Sequence, residues 1–223
     1  MTGTMNPRND TRAAYQLATA PREAVIGIDC DGVLASDRLL WQVLRKRYPA
    51  AIPARYEDLS GYDWPRANDD TTELCLRLSA DPAFAGRLAP MPQMAHALRV
   101  LHLAGYRLHI VTARPLAVRH ATRRWLARHG VASYVSGIEC VDRPADKLAV
   151  VRALGCDTFV EDNHSTAEAL GQAGVRSYLL DAPYNQMPAR HSLRVRDWHE
   201  LLADLLGPAA TLPVVSAPTA LAG

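Results

Sequence analysis

The sequence predicts a three-layer α/β fold: a mostly parallel sheet with helices on both faces and a small helical cap inserted after the first strand. Three observations carry that expectation. Short apolar runs of strand type recur at residues 25–30, 107–112, 134–140, 157–161 and 176–181. From the second run onward, amphipathic helical stretches separate them, and such alternation gives a parallel sheet buried on both sides. Residues 35–89 are the exception, with helical patches, four prolines and an aromatic cluster but no strand pattern.

The elements follow in order. Val25-Ile26-Gly27-Ile28 is an unbroken apolar run, as a strand covered on both faces requires. Residues 39–48 and 71–78 are the helical patches of the insertion. Over residues 92–104, Met94, Leu98 and Leu101 share one helical face, and Gly105 is the stop. After the second strand, Pro115 suits a first helical turn and Gly130 a C-terminal cap. Val118, Ala121, Trp125 and Leu126 form the apolar stripe between them. A short helix over 146–154 stops at Gly155. Ser165-Thr166-Ala167-Glu168 has the pattern of a capping box, for a helix that stops at Gly174. Residues 196–206 are read as a last helix. Residues 1–22 read as a flexible leader and 207–223 as a disordered tail. The core is then 23–34 with 90–206, in a Rossmann-like arrangement, and 35–89 is the cap.

Composition narrows the function classes. The 223 residues suffice for one domain with a sizeable core plus an insertion. A formal net charge of +2 argues against a nucleic-acid polymer or a membrane surface as partner. No apolar run reaches 18 residues, so no membrane span is expected. The leader lacks the apolar centre of a signal peptide. Cys30, Cys75, Cys140 and Cys156 are scattered without CxxC spacing, which fits a reducing cytoplasm. The Arg-rich run at 119–124 falls on the polar face of its helix. The eight histidines show no zinc-type spacing. The oligomeric state is open, a homodimer included.

The chemistry lies at the strand ends, where ligands sit in open α/β sheets. Asp29 and Asp31 follow the first strand, then Gly32. Two neighbouring carboxylates repel unless a cation or proton offsets them. A hard divalent cation is the usual partner, and one carboxylate could also act as a nucleophile. Thr112 closes the second strand, Lys147 opens a helix before the fourth, and Glu161 and Asp162 close the fourth. Each has a plain reading. The Asp-x-Asp-Gly is a capped turn, Thr112 a β-branched strand residue, Lys147 a solvated cation, and the acid pair a helix cap. Their order decides between the readings. Parallel strand ends lie side by side, so carboxylates, a hydroxyl and an ammonium converge. That set suits a phosphoryl group: cations offset its charge and a hydroxyl donates to it.

With these motifs in place, the sequence resembles the haloacid dehalogenase-like (HAD) phosphohydrolases over residues 25–206. Within that superfamily it is similar to the C-type 5′-nucleotidases, the 5′(3′)-deoxyribonucleotidase group and its bacterial relatives. The segments that carry the likeness are Ile28-Asp29-Cys30-Asp31-Gly32-Val33-Leu34-Ala35, Val111-Thr112-Ala113-Arg114-Pro115, Thr122-Arg123-Arg124-Trp125-Leu126 and Leu179-Leu180-Asp181-Ala182-Pro183-Tyr184-Asn185. The closing Arg194-Val195-Arg196-Asp197-Trp198 also fits.

The resemblance implies a Mg²⁺-dependent phosphomonoester hydrolase for a small-molecule phosphate ester, a nucleoside or deoxynucleoside 5′-monophosphate. Asp29 would be the nucleophile that forms an aspartyl-phosphate. Asp31 would protonate the leaving oxygen and then activate water. Thr112, Ala113 and Lys147 would hold the phosphate. Asp29, the backbone carbonyl of Asp31, and Asp162 would bind Mg²⁺, and Glu161 would orient a metal-bound water or a neighbouring group. Glu161 stands where an Asp is more usual, and Ala113-Arg114 where the animal enzymes have Ser-Pro. Trp41, Tyr62 and Trp64 are candidates by type for contacting the leaving group; packing within the cap is their plain alternative. Two other functions stay open. One is a phosphatase for another metabolite, such as a sugar phosphate or a biosynthetic intermediate. The other is a non-catalytic binding protein on the same fold, against which the full set of acids, Thr112 and Lys147 argues.

Overall fold

The computed structural model describes residues 24–211. The leader and most of the expected tail therefore lie outside the described residues. The apolar run after Ala24 forms β1 (Val25–Ile28), buried along its whole length at the centre of the sheet. β2 (Arg107–Thr112) and β3 (Val135–Cys140) extend the sheet on one side of it. β4 (Cys156–Glu161), β5 (Arg176–Leu180) and β6 (Leu193–Val195) extend it on the other. The order is β3-β2-β1-β4-β5-β6, and every pairing is parallel.

Strand residues alternate between two apolar layers, as a pleated strand requires. Ile26, Ile28, Ile110 and Val160 meet α4 (Met94–Leu103), α5 (Arg119–Arg128) and α8 (Trp198–Leu206). Val25, Val111 and Phe159 meet α6 (Lys147–Ala153) and α7 (His164–Gln172) on the other face. The sheet is thus covered on both sides.

Residues 35–89 carry α1 (Arg38–Arg47), α2 (Asp69–Ser79), the one-turn α3 (Pro82–Ala85) and two 3₁₀ turns. The chain leaves and returns side by side. Ala35 bridges Pro90, Ser36 N–H donates to the Ala89 carbonyl at 2.8 Å, and Met91 N–H to the Leu34 carbonyl at 2.8 Å. Two indole N–H groups fix this stem: Trp198 donates to the Val33 carbonyl at 3.1 Å and Trp125 to the Leu88 carbonyl at 2.7 Å. The segment has its own apolar cluster of Leu44, Ile52, Tyr56, Leu59, Trp64 and Leu74, completed by Ala182 and Tyr184 of the core.

Some details differ from the sequence expectation. The capping box at Ser165 does not form. Asn163 caps α7 instead, accepting from Thr166 N–H at 3.1 Å, and the helix starts two residues earlier. Glu168 is thereby free to bind the loop before β6, where it accepts from the backbone N–H groups of Arg190, His191 and Ser192. β6 itself was not expected; at three residues, one of them Arg194, it is too short for a pattern. The last helix starts at Trp198, because Asp197 caps it by accepting from Glu200 N–H at 2.9 Å. The fold also runs past residue 206: Pro208–Thr211 forms a 3₁₀ turn and Ala210 is buried.

Candidate active site

The register brings the strand ends level. Ile28 pairs with Ile110 on one side and Val160 on the other. Asp29 N–H then donates to the Val160 carbonyl at 2.9 Å, which seats Asp29 beside Glu161 and Asp162. This is the crevice between β1 and β4, where the strand order reverses and ligands bind in such sheets.

Asp29, Glu161 and Asp162 are all buried, with carboxylate oxygens within 4.8 Å of one another. The ammonium of Lys147 enters from the start of α6. It meets Asp29 at 2.9 Å and the two oxygens of Glu161 at 2.8 and 3.2 Å. Burial disfavours its charge, but the two carboxylates outweigh that and hold its pKa above the ordinary lysine value. The acids are pushed the other way by burial. Asp29 is raised against the pull of Lys147, Glu161 is pushed up to about 8, and Asp162 lies well above the usual carboxylate range.

Three buried carboxylates thus lie around one ammonium that contacts two of them, Asp29 and Glu161, and the cluster could hold a divalent cation. Asp162 supports the same inference. Its Oδ2 accepts from the Tyr184 hydroxyl at 2.7 Å, and its backbone carbonyl from Asn185 Nδ2 at 2.8 Å. Its Oδ1 is buried without a hydrogen-bond partner. Buried acceptors left so are uncommon and invite an ion. The donor set is all oxygen, as Mg²⁺ prefers.

Asp31 points elsewhere. Its carboxylate faces the guanidinium of Arg114, with Nε to Oδ2 at 2.8 Å and Nη2 to Oδ1 at 2.6 Å. Its side chain is therefore not part of the acidic cluster. Gly32, at φ +75°, makes the turn between these groups; a Cβ there would meet Asp162 Oδ2 at 2.1 Å.

Above these groups lies a cavity of about 390 Å³. Asp29, Asp31, Thr112, Ala113, Lys147 and Asp162 line its floor. Tyr62, Trp64, Leu78 and Phe84 of the insertion line it from above, with Tyr184 of the core beside them. Tyr62 and Tyr184 meet edge to face at 6.0 Å between centroids. Of the three aromatic candidates, Tyr62 and Trp64 reach the cavity. Trp41 does not: its indole N–H donates to the Pro53 carbonyl at 3.2 Å and its ring packs edge-on against Tyr56. An amphipathic helix turned that face into the cap's own core. Arg114, Tyr184 and Phe84 are among the cavity residues that sequence reasoning did not single out as site residues. Arg114 and Tyr184 sit inside quoted motif segments, which was the available signal.

Comparison with known proteins agrees with this geometry. Residues 23–209 match the model of the family described as "5' nucleotidase, deoxy (Pyrimidine), cytosolic type C protein". A Bacillus subtilis protein named "Putative nucleotidase YqfW" is 26% identical over 178 residues, covering 78% of this chain and 90% of that one. Among solved structures, a predicted phosphoglycolate phosphatase from Haemophilus somnus superposes with a TM-score of 0.58. It is 19% identical and covers 83% of this chain and 99% of its own. A heptose bisphosphate phosphatase from B. bronchiseptica, complexed with magnesium and phosphate, gives a TM-score of 0.50 at 16% identity, covering 82% and 98%. These structures show the fold. The chain belongs to the cytosolic type C 5′-nucleotidase family of HAD-superfamily phosphohydrolases and is a phosphoric monoester hydrolase.

Proposed function

We propose that this protein is a Mg²⁺-dependent 5′-nucleotidase acting on nucleoside or deoxynucleoside monophosphates through an aspartyl-phosphate at Asp29. The observation that carries the reading is the meeting of Asp29, Lys147 and Asp162 at the floor of an aromatic-lined cavity. The cavity's size lies within the range of small-molecule sites.

In this reading Thr112, the Ala113 N–H and Lys147 hold the phosphate oxygens. Asp29 attacks phosphorus as the bond to the sugar oxygen breaks. That oxygen takes the proton from Asp31. Asp31, now a carboxylate, removes a proton from water; the water oxygen attacks phosphorus, and Asp29 is freed as inorganic phosphate forms. Asp29, Asp162 and the Asp31 carbonyl would hold Mg²⁺, which offsets charge on the transferring group. Glu161 keeps Lys147 in place and so shapes the surroundings of that ion. The magnesium and phosphate of the heptose bisphosphate phosphatase structure support the cofactor by analogy. The four free cysteines support a reducing, cytoplasmic setting. No helix among the described residues is long and apolar enough to cross a membrane.

A phosphate-release screen tests the reading. Nucleoside monophosphates should exceed sugar phosphates in kcat/KM, with Mg²⁺ required and EDTA inhibitory. Trp64→Ala should raise the KM for nucleotides and spare small phosphates, since base stacking is worth about 1–3 kcal/mol. Equal constants for nucleotides and sugar phosphates would count for a general metabolite phosphatase. Full activity in EDTA would remove the metal.

A further inference from the structure

Arg114 is nearly buried, at 5% side-chain exposure, yet it lines the cavity. Each nitrogen of its guanidinium donates a hydrogen bond. Nε and Nη2 form a two-point fork to Asp31, and Nη1 donates to the Thr122 hydroxyl at 3.0 Å. That hydroxyl donates in turn to the Val118 carbonyl at 3.1 Å, at the start of α5. A chain of bonds therefore runs from a core helix through Arg114 to Asp31. Asp31 itself is 45% exposed and opens toward the cavity on its other side. A free aspartate there would rotate about two bonds. The planar fork fixes both its plane and its direction, which a point charge would not.

We propose that Arg114 is the positioning residue that aims the Asp31 carboxyl group at the leaving-group oxygen, so that its effect is confined to substrates whose leaving oxygen needs a proton. The proposal rests on the reading of Asp31 as the acid of the first step. In that step the Asp31 proton passes to the ester oxygen, the phosphorus–oxygen bond to the leaving group breaks, and the bond to Asp29 forms. A sugar alkoxide is a poor leaving group and needs the proton. A p-nitrophenolate leaves without it. A residue that only supports the fold, or one that binds the phosphate, would serve both substrates alike.

The test measures kcat/KM, which reports steps up to departure of the leaving group, for a nucleoside monophosphate and for p-nitrophenyl phosphate. Arg114→Ala should lower the first by about 100-fold, at the lower end of general-acid effects. It should lower the second only a few-fold. Arg114→Lys should lie between Arg114→Ala and the wild type on the nucleotide, because it restores charge without the fork. In an Asp31→Asn background, Arg114→Ala should cost nothing further, as expected for residues acting as a unit. If Arg114→Ala fails to fold, Thr122→Val removes the Nη1 partner alone and should show a smaller loss of the same selectivity. Equal losses on both substrates, or additive losses in the double variant, would overturn the proposal and leave Arg114 as a residue that supports the fold or binds the phosphate. If Asp31→Asn shows a leaving-group preference and neither Arg114→Ala nor Thr122→Val does, only the positioning role falls. If Asp31→Asn itself shows none, the acid reading falls and takes the proposal with it.

Discussion

Asp162 is held by residues that lie close only in the folded chain. Gly32 lets it approach, Tyr184 binds its Oδ2 and Asn185 its carbonyl. Gly32→Ala would set a Cβ 2.1 Å from Asp162 Oδ2 and 2.8 Å from the Tyr184 hydroxyl, on a backbone at φ +75°. Such a substitution is expected to destabilise by about 1–3 kcal/mol from backbone strain alone. It should also cut phosphatase activity by displacing Asp162. Urea unfolding and a phosphate-release assay check both; a variant with unchanged midpoint and rate would contradict the geometry. At this scale the sequence exposed Asp29, Thr112, Lys147 and Asp162, because each ends a strand or opens a helix. Arg114 and Tyr184 were less visible. Their partners lie 83 and 22 residues away, and nothing in a linear pattern pairs them.

Among the elements, α7 depends on a cap and on a loop it helps to hold. Burial alone would raise the Glu168 pKa, but the Ser192 hydroxyl and the N–H groups of Arg190, His191 and Ser192 lower it to about 2. A carboxylate depressed in this way stabilises the fold above its unfolded pKa of about 4.3. That contribution is lost as pH falls from there through about 2. Glu168→Gln should therefore lower stability near neutral pH by about 1–2 kcal/mol, the modest end for bonds to a charged, half-exposed group. The gap to the wild type should narrow below about pH 4 and close as pH falls through about 2. Thermal melts across that range check it; a gap independent of pH would contradict it. The five longer strands were legible as apolar runs between glycine stops. β6 was not, because it pairs only along β5 and carries Arg194, bound to Asp181 and Asn185. The cap of α7 was misplaced because Asn163 lies two residues before the more conspicuous Ser165 pattern.

For the molecule as a whole, the parallel, doubly covered sheet was legible from alternation, its strand order was not, and the strand ends were where the acids and Lys147 were expected to meet. What a roof segment recognises was not, since cap packing and ligand contact use the same residue types. Trp41 and Trp64 show the point: both pack within the insertion, and only Trp64 also lines the cavity. The charge of the site has a consequence for the entire fold. A cation held by the cluster of Asp29, Glu161 and Asp162 would bind only the folded chain. Mg²⁺ at about 100 times its Kd should then stabilise the protein by about 2.7 kcal/mol, or roughly 5–10 °C in Tm. Asp162→Asn should abolish most of that shift; the same rise in both proteins would contradict the assignment. The central claim is that the phosphoryl group passes through Asp29, and acid-quench mass spectrometry tests it directly. Asp31→Asn with Mg²⁺ and p-nitrophenyl phosphate should release one burst of p-nitrophenol and then stall, because the leaving group needs no acid while the second step lacks its base. The predicted result is a peptide containing Asp29 that gains the mass of one phosphoryl group. A burst with free phosphate and no such gain, or with the gain on another residue, would contradict the account.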